Sequence, residues 1–577
     1  MKRWNYRDCD TAAAEVIQAE LKVSRLLALL LTQRNVRDPE LAERFLNPKL
    51  GDLHDPYLML GMRAAVERIR QAIAKKEGIL IYGDYDVDGT SSIALMRAAI
   101  ELAGGSASFH VPHRVQDGYG MRVEVVEQAA RENVRLIISV DTGIRENAVV
   151  ERATELGIDS IITDHHLPDE ITPPALAVLN PNQPGCSYPD KNLCGVGIAF
   201  KLAHALLLEL GWPQEKLTRV VVSFLKLVAI GTIADVVPLV GENRIFVKFG
   251  LEGLRNPRNL GLKALLDVAG FSSASPPSAG SIAFRVAPRI NAAGRMDTAR
   301  EVVELFATDD PLRASNIAAK LDRLNAERQR TEEIAIREIH ERLRDIPTPP
   351  QLPVIVEVGE DWHAGVIGIV ASRIAERFHR PALVLTSERG KGTATGSARS
   401  IPNFHLLEAL ESVADLLQRF GGHRQAAGCT LPIEHIPELR RRLNEYAHHR
   451  LQKEDFIPTL QLDVELPFSS IQEEIMIELR RLAPHGLANP SPRFSTPNLD
   501  LMATPRIFKE KHLELRLSSG AESINAVGWS MAERGRALSC HDRLDVAYSV
   551  ERDTYAGGWR LVIEDFHAVE LSTPSKF

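Results

Sequence analysis

Between residues 61 and 240, short apolar runs alternate with stretches of helical period. GILIYG (78–83), SASFHV (106–111), RLIISV (135–140), DSIIT (159–163) and ALAVL (175–179) read as strands, and TSSIALMRAAIELAG and RENAVVERATELG as helices between them. Strands alternating with helices predict a mostly parallel, helix-covered sheet. Ligand chemistry in such sheets collects beyond the carboxyl ends of the strands. Residues 1–60 read as a helical, peripheral segment: LKVSRLLALLLTQ has helical spacing and Asp38-Pro39 marks a helix start. The pattern over 311–345 is long, charged and helical. It suits a coiled-coil surface or, as the simpler and preferred reading, a connecting helix, and it stops at the breaker PTPPQLP (347–353), a natural linker. A second α/β pattern follows over 354–450, opening on PVIVEV. After about residue 455 come short strands separated by turns, LELRLS, SINAVGWS, LDVAYSV and WRLVIEDF, which predict a small antiparallel barrel or sandwich.

Composition narrows the class. With 577 residues, 44% hydrophobic and 25% charged, the chain is neither disordered nor fibrous, and is long enough for several cores. Five scattered cysteines, none in a Cys-x-x-Cys pair, argue against a zinc ribbon or a disulfide framework and fit a reducing cytoplasm. The opening residues lack the apolar stretch of a secretory signal. Residues 220–240 are nearly long enough to span a bilayer, but Lys226, Gly231 and Asp235 interrupt them. They read as a buried helix running into a loop with one carboxylate, and no membrane partner is expected. The formal net charge of −7 excludes a uniformly basic nucleic-acid coat, though not a local basic groove.

The candidate chemistry is concentrated at the ends of the apolar runs. GILIYG leads into Asp84, Asp86 and Asp88; RLIISV into Asp141; DSIIT into Asp164, His165 and His166; and LVAIGTIA into Asp235. A calcium loop starting at Asp84 fails, because its twelfth position is Leu95 rather than glutamate. Any one aspartate could be a turn or cap residue. As a set converging on one sheet edge, so many buried carboxylates require cations. Oxygen ligands with one or two imidazoles suit Mn2+ or Mg2+. A pair of ions about 3.5–4 Å apart would activate a water and stabilise the leaving oxygen of a phosphoryl displacement.

GDYDVDG, SVDTG, the tripeptide Asp164-His165-His166 and GTIADVVPL together resemble the DHH phosphoesterase superfamily, and within it the single-stranded-DNA exonucleases. The resemblance extends through LCGVGIAFKL, RINAAGRMD, WHAGVIGIVASRI, GSARS and GGHRQAAG. It implies a parallel-sheet DHH domain (61–310) after the N-terminal segment (1–60), a connecting helix and linker (311–350), a DHHA1-type α/β domain (351–452) and a C-terminal OB-fold barrel (453–577). It implies metal ligation by Asp84, Asp86, Asp88, Asp141, His165 and Asp235, with Asp141 bridging. His166 would face the scissile phosphate, and Asp164 would orient a histidine ring. Relatives carry a histidine ligand before the first aspartates, whereas Tyr82 and Gly83 stand here, so Asp84 takes that place.

For nucleic acid, Arg114 follows a strand end, and Arg285, Arg289, Arg295 and Arg300 stand against the single carboxylate Asp297 over 281–300. Phosphate contact is expected of Arg114, Arg285, Arg289 and Arg295. NAAGR and the glycine-bearing segments around Ser397, Arg399 and His423 read as loops of close backbone approach, though His423 reads equally well as a satisfied structural histidine. His363, ahead of a helix start, lies in a further candidate phosphate loop. In the barrel, Arg480, Arg481, His485, Arg493, Arg506, Lys509 and Lys511 offer charge, and Phe494, Phe508, Trp529, Tyr555 and Trp559 offer rings. The resemblance implies a monomeric 5′-to-3′ exonuclease on single-stranded DNA, releasing mononucleotides in recombination, mismatch repair and fork processing. It also implies partnership with a single-strand-binding protein and a RecQ-type helicase. Two rivals remain: a hydrolase of small nucleotides, and a non-catalytic single-strand-binding scaffold.

Overall fold

The structure is a computed structural model and describes residues 2–114, 117–118, 120–272, 274–344, 351–387, 390–553 and 557–569. Tyr119, Tyr555 and residues 347–350 of the breaker lie outside the described residues. The chain divides into two units, one of residues 49–453 and the other of residues 1–48 with 454–577.

The first unit is built on a five-stranded, wholly parallel sheet in the order Ser108–His110, Gly78–Gly83, Val134–Val140, Asp159–Thr163, Ala177–Leu179. The strand interiors are buried on both faces. Ile79, Ile81, Leu136 and Ile138 pack into the larger core with helices Val87–Leu102, Gly195–Leu208 and Gln214–Ala234. Leu80, Tyr82, Ile137 and Ile162 face helices Val123–Arg131 and Asn147–Glu155. This is the period-two alternation of a strand between two layers of helix. Gln214–Ala234 is long and apolar enough to cross a membrane by length and composition. It packs instead in the core and ends at Asp235, as the sequence pattern predicts.

Beyond a group of shorter helices, Pro311–Arg342 forms one helix of 32 residues, about 48 Å long at 1.5 Å per residue. The second sheet follows. Its order is Arg419–Gly422, Ala426–Pro432, Thr393–Arg399, Ala382–Ser387, Ile355–Glu360, and only the last two strands run parallel. GSARS and GGHR, expected as loops, lie largely in strands: Ser397 and Arg399 on Thr393–Arg399, with His423 exposed just past Arg419–Gly422. Their small residues allow tight antiparallel pairing between neighbouring strands.

In the second unit, Phe494–Leu501, Arg543–Arg552, Trp559–Ala568, Glu522–Gly528 and His512–Ser519 close into a five-stranded barrel through pairing of the first with the last. The N-terminal segment carries helices Thr11–Leu21, Arg25–Thr32 and Pro39–Leu46 and, ahead of them, a strand that its periodicity does not announce. Arg3–Tyr6 is a strand paired in parallel with Thr459–Leu462. Trp4 donates its indole N–H to the buried Asp565 (2.9 Å) and stacks on His567. No helical periodicity could announce a four-residue strand whose partner lies more than 450 positions away.

One polar network inside the first unit is isolated from solvent. Lys201 and Glu242 are 0% and 1% exposed and form an ion pair. Glu242 also accepts from Tyr188 Oη (2.5 Å) and from the His54 amide (3.0 Å), while Lys201 donates to the His54 carbonyl (2.9 Å). Removing one member of a buried pair strands the other charge, at about 3–5 kcal/mol, whereas apolar replacement of both is far milder. Glu242→Ala should therefore lower the urea midpoint substantially, and the double variant Lys201→Met/Glu242→Leu should recover most of the loss. Equal losses in the single and double variants would contradict this account of the pair.

Candidate metal centre and nucleic-acid interface

Strand register alone brings the acidic residues together. Gly83 pairs with Val140, Val140 with Thr163 and Thr163 with Leu179, so the residues that follow (Asp84, Asp141, Asp164 and Asn180) emerge in one row. Two further ladder bonds carry the row past the strands, from the Asp141 amide to the Thr163 carbonyl and from the Asp164 amide to the Leu179 carbonyl. Asp141 then turns the chain with φ +61°, a conformation that a short polar side chain tolerates better than a branched one. Asp86 caps the next helix by accepting from the Gly89 amide (3.0 Å), and Asp88 lies inside its first turn. Asp235 arrives from the other direction, at the C-terminal cap of Gln214–Ala234.

Ligand-capable atoms of Asp84, Asp86 and Asp141 lie within 4.8 Å of one another, as do those of Asp88, His165 and Asp235, and those of Asp141, His165 and His166. His165 Nε2 stands 3.3 Å from Asp141 Oδ1 and 3.6 Å from Asp235 Oδ2. His165 Nε2 and Asp141 Oδ1 are both buried and neither makes a hydrogen bond. Burial and neighbouring carboxylates push Asp84 up to about 8 and Asp235 up to about 9. Burial and Asp86 push Asp88 up to about 7, and burial with the surrounding aspartates drives Asp141 well above the usual carboxylate range. Burial and the adjacent His166 hold His165 down to about 4, leaving a neutral imidazole suited to ligation. Orphaned donor atoms among mutually repelling carboxylates fit a pair of Mn2+ or Mg2+ ions.

Asp164 does not join the ligands. Its Oδ1 accepts from the amides of His165 (2.8 Å) and His166 (3.1 Å) and meets His166 Nδ1 at 2.7 Å, while Oδ2 accepts from the Ile144 amide (3.0 Å). Burial opposes charge on both partners, yet their bond and attraction outweigh it: Asp164 is held below its ordinary value and His166 is raised above its own. The ring that Asp164 orients is therefore that of His166.

Three of the expected arginines converge. Arg114 lies over the Tyr85 ring (5.0 Å), next to Asp84 in the chain. Arg295 is depressed to about 10 by burial and by repulsion from Arg114, Arg328 and Arg399; Arg399 is lowered by burial and by Arg114. Arg295 donates to the Gly365 carbonyl (3.1 Å), and Arg399 to Ser397 Oγ (3.1 Å) and the Ala398 carbonyl (2.8 Å). This gathering of like charges is a candidate anion site. Two arginines are engaged elsewhere: Arg285 lies over Phe271 (4.1 Å) and donates to the Ala269 carbonyl, and Arg289 pairs with Asp322 (2.8 Å). His423 is exposed on its hairpin, and the His363 ring accepts from the Gly365 amide (3.1 Å). NAAGR is helical, within Ala287–Met296, and a Cβ on Gly294 would come within 2.8 Å of the Tyr85 carbonyl. The close approach there is to the aspartate turn itself.

Several contributors were not anticipated. Both Asp88 oxygens accept amides at the start of Gly195–Leu208, from Gly195 (2.7 Å) and Val196 (2.8 Å). A Cβ on Gly195 would strike Asp141 at 2.5 Å. The available signal was a helix start at Cys194 with no capping side chain of its own. Asn291 accepts from the Val87 amide (3.2 Å), and Arg328 on the long helix pairs with Glu332, which also binds Arg373 (3.2 Å). In the barrel unit Phe494 is core, whereas Phe508, His512 and the half-exposed Trp529 cluster together beside Lys509 and Lys511. Arg480 and Arg552 flank Trp559.

Comparison with known proteins agrees with this architecture. Residues 78–232 match the DHH family N-terminal domain, 351–449 the DHHA1 domain and 462–565 the RecJ OB domain. The chain is 39% identical over 545 residues to the single-stranded-DNA-specific exonuclease RecJ of Bacillus subtilis, covering 94% of this chain and 68% of that one. It is 37% identical to the Escherichia coli protein of the same name, covering 93% and 94%. A crystal structure of RecJ from Thermus thermophilus in complex with Mn2+ superposes with a TM-score of 0.83 at 31% identity, covering 99% of this chain and 80% of that one. A second, in complex with Mg2+, gives 0.78. Identity at this level, sustained across almost the whole chain and all three domain models, places the chain in the RecJ family of single-stranded-DNA-specific exonucleases.

Proposed function

We propose that this chain removes mononucleotides from the 5′ end of single-stranded DNA, using two divalent ions. The observation that carries the reading is the pair of ligand triads meeting at Asp141 and His165, on the same turn that Arg114 and Arg295 approach through Tyr85. Asp84, Asp86 and Asp141 would hold one ion, and Asp88, His165 and Asp235 the other. When bound, the ions supply Lewis acidity to the phosphoryl group and acidify the attacking water. His166, oriented by Asp164 and held by it above its ordinary value, faces the phosphate and stabilises charge developing there. Arg114, Arg399 and Ser397 take the terminal 5′ phosphate and set the first phosphodiester in register, while Arg295, tied to Gly365, reinforces their field. The barrel binds single-stranded DNA, with the half-exposed Trp529 and the partly buried Phe508 as its rings. In this reading the protein works as a cytoplasmic monomer in recombination, mismatch repair and fork processing, alongside a single-strand-binding protein and a RecQ-type helicase.

End-labelled single strands, blunt duplex and dinucleotides, each with Mn2+ or Mg2+, test the reading. Single strands should be degraded and Asp141→Ala should be inactive. A preference for dinucleotides would favour a small-nucleotide hydrolase, and absence of cleavage a binding scaffold. Arg399→Ala should lower the preference for 5′-phosphate over 5′-hydroxyl ends about 10- to 100-fold, as expected for a lost charge-assisted hydrogen bond. An unchanged ratio would remove Arg399 from the end pocket.

The carboxylates also predict a pH dependence of stability. Asp88, Asp84 and Asp235 keep their protons to about 7, 8 and 9 in the folded chain, whereas unfolded aspartates release theirs near 4. Between about pH 4 and those folded values the folded state binds more protons, so stability falls across that window and levels off above it. Without divalent ions the thermal midpoint should fall from about pH 6 to about pH 8.5, and Mg2+ or Mn2+, replacing the protons, should flatten the profile. A flat profile in EDTA would contradict the charge crowding.

A further inference from the structure

Phe284 is 84% exposed, more than any other exposed large hydrophobic side chain among the described residues. A lone exposed ring needs no explanation, but three features set this one apart. It lies inside a π-helical turn, Ile282–Val286, a geometry that is rare and frequently found at functional sites. That turn runs directly into Ala287–Met296, the helix whose Asn291 caps the aspartate turn and whose Arg295 belongs to the guanidinium cluster. Positions 284, 288, 291 and 295 recur at helical spacing, opposite the buried Ile282, Val286, Ile290 and Ala293. Finally, residues 271–296 contain three arginines and no carboxylate; Arg289 is paired with Asp322 on the long helix, while Arg295 belongs to the guanidinium cluster at the other end of the same helix.

We propose that Phe284 is a stacking platform for one base of the substrate strand, several nucleotides behind the scissile bond. An aromatic face beside positive charge is the general means of holding a single strand without reading its sequence. Eleven residues separate Phe284 from Arg295, about 16 Å at 1.5 Å per residue. At about 3.4 Å per stacked nucleotide, that distance covers no more than about five nucleotides. A strand engaged at the terminal-phosphate site therefore reaches the ring only once it is several nucleotides long. This inference rests on the exonuclease reading and extends it, by making Phe284 a length sensor that leaves the chemistry untouched.

The test uses the full-length protein with Mn2+ and 5′-phosphorylated strands of increasing length. Phe284→Ala should raise KM about five-fold or more for long strands, leave KM for dinucleotides unchanged, and leave kcat unchanged for both. Phe284→Trp should restore the long-strand KM, and Phe284→Leu, apolar but without a π face, should not. Long strands carrying a single abasic site should show a KM maximum at one position for the wild type, within about five nucleotides of the end, and none for Phe284→Ala. Equal effects on dinucleotides and long strands, full rescue by leucine, or no position-dependent maximum would each overturn the platform. If the wild type failed to cleave single strands at all, the exonuclease reading itself would fall, an outcome distinct from these.

Discussion

The constraint on which the rest of the structure depends is the electrostatic cost of gathering carboxylates at the buried edge of a parallel sheet. Asp84, Asp88 and Asp141 are each 5% exposed or less, and each is pushed upward by burial and by its neighbours. Such a cluster persists only if the fold over-determines it and cations neutralise it. Over-determination is visible at each member. Register fixes Asp84 and Asp141, two helix amides grip Asp88, and Asp235 caps a core helix. The fold spends much of its ordering on holding like charges together, which serves binding of multivalent cations rather than stability.

Around that acidic centre the structure sets a second, opposite crowding. Arg114, Arg295 and Arg399 come from three separate segments and repel one another. One polyanion can satisfy both: its phosphates answer the arginines, and metal ions mediate between its scissile phosphate and the aspartates. Beside the carboxylates, Asp164 orients the His166 ring and raises its hold on a proton.

The sequence made the centre legible because its chemistry is local. Each apolar run ends in its acidic residue, and strand parallelism follows from helix alternation, so the sequence pattern by itself brings Asp84, Asp141, His165 and Asp235 to one edge. The long helix and the barrel were legible through periodicity and turn spacing. What escaped depends on partners distant in the chain. The pairing of Arg3–Tyr6 with Thr459–Leu462, the grip of Gly195 and Val196 on Asp88, and the ion pair drawing Arg289 to Asp322 leave no periodic trace. Glycine misled in GSARS and NAAGR for the same reason. Its neighbours are a strand in one case and the Tyr85 backbone in the other, and neither is adjacent in sequence.

Anomalous diffraction at the manganese edge, from crystals of the full-length protein equilibrated with Mn2+, tests the central claim most directly. The account predicts two peaks about 3.5–4 Å apart, one bounded by Asp84, Asp86 and Asp141, the other by Asp88, His165 and Asp235, with Asp141 contacting both. A single peak at saturating Mn2+, or two peaks that share no contact with Asp141, would contradict it.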